Sequence, residues 1–158
     1  MKNRKNVCLF GLILCMFFIF YFSHQPSIRS QSMSNEVALK ILEFSSKVRK
    51  QNISEDQKEN FIIKSRFLIR KLAHFFIFLV LGICMYLTLK NFKVKSIYLY
   101  SLLLCLLYAS FDEFHKLFVF GRTARVLDIL IDFVGAFIGI LICDFAVKKH
   151  LKKKCLFK

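Results

Sequence analysis

Four acids, Asp112, Glu113, Asp128 and Asp132, lie between or inside two long apolar runs, in company with His115, Lys116, Arg122 and Arg125. Ionisable groups at membrane depth are costly to insert, so they are rare and usually have a task. Adjacent Asp112 and Glu113, with His115, His74 and Asp128, could divide general-acid and general-base roles, because crowded carboxylates titrate apart. The same set could hold a hard divalent cation. Their spacing matches no familiar metal motif and no activated nucleophile accompanies them, so no metal or other cofactor is expected. Arg122 offers a bidentate fork to a carboxylate or to the phosphate of a lipid head group.

These residues need helices to carry them. In the 158-residue chain, 56% of residues are hydrophobic, with 20 Phe and no Trp, and the apolar residues are gathered into runs. That is the pattern of a membrane protein rather than a soluble one. Four spans are expected: Val7 to Ser23, Leu72 to Leu89, Ser96 to Phe111, and Asp128 to Val147. The fold expected is therefore an all-α membrane protein of about four transmembrane helices, forming one domain over residues 1–158. The first and third spans are short for a crossing of about 20 residues, so their polar ends must reach the interface or thin the bilayer. The first resembles a signal peptide in its basic start and apolar core. The residues after it offer no small-x-small cleavage site, so a retained helix is expected.

The long connection, residues 24–71, is expected to lie on the outer side and to be amphipathic. Ser34-Asn35-Glu36 reads as a helix start. Val37, Ile41, Phe44 and Val48 then recur at helical spacing, as in a helix lying on the membrane face or packing on the bundle. Phe61 to Leu72 should run straight into the second span.

Helical spacing also groups the polar residues. Arg70, Lys71 and His74 share a face of the second span. Ser101, Cys105, Tyr108, Asp112 and His115 share a face of the third if that helix continues to His115. Asp128, Asp132, Gly135 and Gly139 share a face of the fourth. The two glycines form GxxxG, which lets helix backbones approach closely in lipid, so the acids beside them should face another helix. A homodimer through the same glycines is permitted. Asp112 and Glu113, near a helix C-terminus, need cations, and Arg70, Lys71, Arg122 and Arg125 are available.

Each residue also has a plainer role. Asp112 and Asp128 with Arg122 could be a structural lock on three helix ends. His74 could be an interfacial hydrogen-bond donor, and Asp144 could be paired with a lysine. Lys116 and Arg125 are expected to be solvated.

The net charge of +15 does not point to nucleic acid, because the lysines flank apolar runs and no recognition motif accompanies them. They suit the lipid bilayer and its anionic head groups. Basic residues are densest at the start, at Lys90, Lys93 and Lys95, and in the tail (Lys148, Lys149, Lys152, Lys153, Lys154, Lys158). That density places both termini in the cytoplasm of a multi-pass cell-membrane protein. Six cysteines, Cys8, Cys15, Cys84, Cys105, Cys143 and Cys155, form no CxxC and read as small buried hydrophobes.

The chain resembles the VanZ-like family of bacterial membrane proteins over most of its length. The resemblance is carried by Phe22-Ser23-His24-Gln25-Pro26 and by Arg70-Lys71-Leu72-Ala73-His74-Phe75. Above all it is carried by the ordered string from Tyr108 through Asp112-Glu113, His115-Lys116 and Gly121-Arg122 to Asp128 and Gly135. Lys116 stands where the family usually has Gln, and Asp132 where it usually has Asn. The resemblance implies a polytopic membrane protein and supports a retained first helix. Founding members are associated with resistance to the glycopeptide teicoplanin, which implies an antibiotic-resistance role without supplying a reaction.

Three functions are then open. In the first, a non-catalytic protein uses its outer polar cluster to bind a lipid-linked envelope component or a glycopeptide and so limits drug access. The alternative is an intramembrane enzyme acting on a lipid-linked phosphate or acyl group through Asp112, Glu113 and His115. The third is a proton-coupled transporter using Asp132 and Asp144, which would require dimerisation, since four helices are few and no repeat is visible.

Overall fold

The structure, a computed structural model, describes residues 2–49 and 54–156, with side chains over 3–48 and 54–149. Expectations resting on Cys155 and on the side chains of Lys152, Lys153, Lys154 and Lys158 lie outside the described residues. Every regular element among the described residues is a helix: α1 (Lys2–His24), α2 (Ser27–Arg49), α3 (Glu55–Asn91), α4 (Ile97–Lys116) and α5 (Val126–Leu156). Four of these, all but α2, are long and apolar enough to cross a membrane. Large apolar side chains such as Phe10, Phe76, Leu107, Phe111 and Phe145 stand exposed around the bundle. In water that surface would aggregate; in a bilayer it faces hydrocarbon.

The membrane crossings are longer than composition alone suggested. α4 continues past Phe111 to Lys116, so its 20 residues rise about 30 Å, the thickness of the hydrocarbon core. The third helix is therefore as long as the hydrocarbon core is thick, and Asp112 and Glu113 become helical residues. α3 begins far upstream of Leu72, at a capping box. The Ser54 hydroxyl accepts from the Gln57 amide while the Gln57 side chain accepts from the Ser54 N–H. Phe61 to Leu72 runs unbroken into the span.

α2 starts seven residues before the expected Ser34. Pro26 ends α1, its carbonyl accepts the first bond of α2 from the Ser30 N–H, and helix follows at once. Ser34 is thus interior and donates to the Ser30 carbonyl at 2.9 Å instead of capping. α2 packs along α3, burying Ser34 and Ala38 while Ile41, Phe44 and Val48 stay exposed. Small residues make the bundle contact, and the apolar stripe is left exposed.

The central pair is α3 and α5, which run parallel. Lys71–Asp128, His74–Asp132, Phe75–Gly135, Leu79–Gly139 and Tyr86–Asp144 are successive rungs. A Cβ on Gly135 would strike the Phe75 carbonyl, one on Gly139 the Leu79 carbonyl, and one on Gly82 the Ala136 carbonyl. The GxxxG surface is therefore consumed inside the chain, against α3. Around this pair, Phe78, Leu81, Met85, Cys105, Ala109, Ala136, Ile140 and Cys143 form a core that α1 completes with Leu12, Cys15 and Ile19.

At the end bearing the termini, the lowest rung is polar. The Tyr86 hydroxyl donates to Asp144 at 2.7 Å, and Lys148 pairs with the same carboxylate at 2.8 Å, as the lysine-paired reading of Asp144 requires. Tyr86→Phe should cost only about 1 kcal/mol, because Lys148 still holds Asp144; thermal unfolding in detergent measures it.

Candidate functional site

The opposite end of the bundle gathers the α1 C-terminus, the starts of α2 and α5, the first membrane turns of α3, the end of α4, and the loop 117–125. There a cavity of about 260 Å³ is lined by Arg70, Lys71 and His74 of α3, Lys116 of α4, Arg122 and Arg125 of the loop, and Asp128 and Asp132 of α5. Five cations and two carboxylates make its wall positive. A second cavity of about 220 Å³ lies against it between α1, α2 and α3. Its lining is apolar (Ile19, Phe22, Met33, Val37, Ile69, Ile77), and it shares Arg70, His74 and Arg122 with the first.

The parallel register of α3 and α5 builds the wall. With Gly135 seated on the Phe75 backbone, the acids one and two turns earlier on α5 meet the polar residues of α3. Lys71 Nζ lies 2.7 Å from Asp128, and His74 Nδ1 lies 3.7 Å from Asp132. This is the approach of acids to a neighbouring helix that the GxxxG spacing implied.

The cation that meets Asp112 and Glu113 is none of the four expected. It is Lys116, one turn on along the same helix, 3.2 Å from Asp112 and 2.6 Å from Glu113. Lys116 is not solvated; its side chain is 6% exposed. The reason is local: steps of three and four put its amine over both acids, and α5 closes over it. Glu113 also accepts from the Arg125 backbone N–H at 2.7 Å, and Asp112 accepts from the Ser23 hydroxyl at 2.9 Å. These acids thus tie α1, α4 and the loop together. The Arg125 side chain is exposed, as expected.

Arg122 pairs with no carboxylate among the described residues. Its Nε donates to the Gln25 carbonyl at 2.9 Å and its Nη2 to the Phe22 carbonyl at 3.1 Å. These carbonyls end α1, where the helix dipole favours a cation. The expected lock of Asp112 and Asp128 by Arg122 is not formed: Lys116 meets Asp112, Lys71 meets Asp128, and Arg122 binds the end of α1. Burial, and then the charge of Arg70, push Arg122 below its ordinary value, opposed by Asp112 and Glu113. Arg70 has no acidic partner among the described residues, and its Nε is buried without a hydrogen-bond partner.

Two members of the expected cluster sit elsewhere. Tyr108 donates to the Met16 carbonyl at 2.6 Å and braces α1 on α4 outside the cavity. His115 turns to α1: its Nε2 lies 3.2 Å from His24 Nδ1, and its ring stacks on His24 and tilts over Phe20. The imidazole near Asp112 is instead His74. Sequence reasoning missed Lys116 and Ser23 as parts of the network. The spacing Asp112, Glu113, Lys116 was the signal available for the first; for Ser23 there was none.

No curated protein and no solved structure matches the chain with significance. The family model described as VanZ/LLP1 matches residues 8–147, which run from α1 through the membrane part of α5 and include every residue of this site. The chain is a membrane-spanning member of the VanZ/LLP1 family.

Proposed function

We propose that the protein is non-catalytic and that its polar end binds an anionic, lipid-linked envelope component, limiting access of the glycopeptide teicoplanin to cell-wall precursors. The observation that carries this reading is Arg70. It is a partly buried guanidinium without an acidic partner among the described residues, set beside the second guanidinium of Arg122 on the wall between a cationic cavity and an apolar one. Two such groups side by side repel, and an anion between them relieves the repulsion. A phosphate suits their planar donors. The adjoining apolar cavity suits the first part of a lipid tail.

The lysine density at the terminal end supports both termini being cytoplasmic in a cell-membrane protein, which turns the cationic cavity outward. The exposed stripe of α2 would then rest on the outer leaflet.

The test is teicoplanin susceptibility of a sensitive host, comparing wild type with Arg70→Ala and Arg122→Ala at matched membrane levels. Wild type is expected to protect and both variants to lose that protection. Undiminished protection by Arg70→Ala overturns the reading, as does a wild type that gives none. Arg122→Ala should also lower stability by about 2 kcal/mol, because two carbonyls at the α1 terminus lose a charged donor. Arg122→Lys should recover little, since an ammonium lacks the fork that reaches both.

A further inference from the structure

We propose that Asp112, Asp132 and His74 form a binding site for one divalent transition cation at the floor of the cationic cavity. One imidazole nitrogen and one oxygen from each carboxylate lie within 4.8 Å of one another, brought together from α3, α4 and α5. Donors around such an ion sit roughly 3–4 Å apart when metal–ligand bonds are near 2.1 Å, so small side-chain adjustments close the set.

Two further observations point to a cation. First, the donor atoms are buried and unused. Both carboxylate oxygens of Asp132, Oδ1 of Asp112 and Nδ1 of His74 have no hydrogen-bond partner. The two aspartate side chains are each 1% exposed. Buried polar atoms of this kind are nearly always satisfied, and those left over call for a missing partner. Second, buried carboxylates outnumber the ammonium groups beside them. Asp112, Glu113 and Asp132 present three carboxylates, and among the described residues Lys116 is the one buried ammonium beside them, with the His74 imidazole 3.7 Å from Asp132. Lys71 is already engaged by Asp128. A dication removes the difference and places its charge where the unused lone pairs converge.

The mixed nitrogen and oxygen donors favour ions such as Mn²⁺ or Zn²⁺ over Ca²⁺, which prefers oxygen alone. Glu113 and Ser23 would act around the site: Glu113 holds Lys116, and Ser23 orients Asp112 through Oδ2, leaving Oδ1 for the ion. Neither the charges nor the unused atoms depend on what the outer cavity binds, so the site stands whether or not a lipid phosphate enters above it.

The experiment uses the full chain purified in detergent, stripped with EDTA, and titrated with Mn²⁺ while free Mn²⁺ is followed by electron paramagnetic resonance. One ion per chain is expected to bind, with displacement by Zn²⁺ and none by equimolar Ca²⁺. Asp132→Asn and His74→Gln should weaken binding by about tenfold or more, the scale of losing a group that holds or tunes a metal. Asp128→Asn, on the cavity rim, should leave it unchanged. Lys116→Gln should tighten binding several-fold, because it removes the ammonium that competes for Asp112. That variant keeps all three ligands, and the wild-type titration tests the site even if every variant fails to fold. No saturable Mn²⁺ binding by wild type overturns the proposal. So does binding that Asp132→Asn and Lys116→Gln, both monodisperse, leave unaltered.

Discussion

Replacing Lys116 with Met is expected to cost about 3–5 kcal/mol, the scale of leaving buried charges without their partner. The ammonium serves two carboxylates at once, at 3.2 and 2.6 Å, and all three side chains are 6% exposed or less. Methionine fills most of the volume, so the loss measures charge rather than packing. Thermal unfolding in detergent should show it as a marked fall in midpoint. A partner variant decides the cause. Adding Asp112→Asn and Glu113→Gln to Lys116→Met removes the stranded charges and should recover most of the stability, since neutral replacement of a buried charged set is often well tolerated. A midpoint unchanged in Lys116→Met alone would show that the amine leaves the acids for the cavity mouth.

Gly139→Leu should be as damaging, for a steric reason. The Cβ it adds would overlap the backbone carbonyl of Leu79, and backbone cannot step aside as a side-chain tip can. Overpacking of this kind costs about 3 kcal/mol or more when no neighbour can give way. Because Gly139 is one rung of the α3–α5 pair, the separation would spread to the Gly135–Phe75 rung and pull Asp132 away from His74. The expected result is a low yield of monodisperse protein. Gly11 supplies the control: a Cβ there meets nothing within 4 Å, so Gly11→Ala should stabilise α1 by roughly 0.5–1 kcal/mol. Equal behaviour of the two variants would show that α3 and α5 do not pack as described.

How much of this was legible beforehand depends on the range of the interaction. The four membrane helices follow from runs of apolar residues, and a run is a local property. So does the lysine pairing of Asp144, four residues from Lys148. The facing of Asp128 and Asp132 toward another helix was readable from the glycines on their own face. The start of α2 was misplaced because Ser34-Asn35-Glu36 carries a capping pattern, while Pro26, eight residues earlier, had already set the chain into helix. Lys116 was read as solvated because its charge was weighed and its position over Asp112 and Glu113 was not.

The sequence by itself therefore determined a family, an all-helical membrane architecture, and the segments on which the ionisable residues lie, since each rests on local pattern or an ordered string of residues. Only the tertiary structure decided their partners. It placed His74 rather than His115 beside Asp112, gave Arg122 to the end of α1, and set Arg70 between two cavities. The physical reason is that helical spacing fixes which residues share a face, whereas which faces meet is fixed by backbone contacts such as Gly139 on Leu79, and no period within a single helix encodes those.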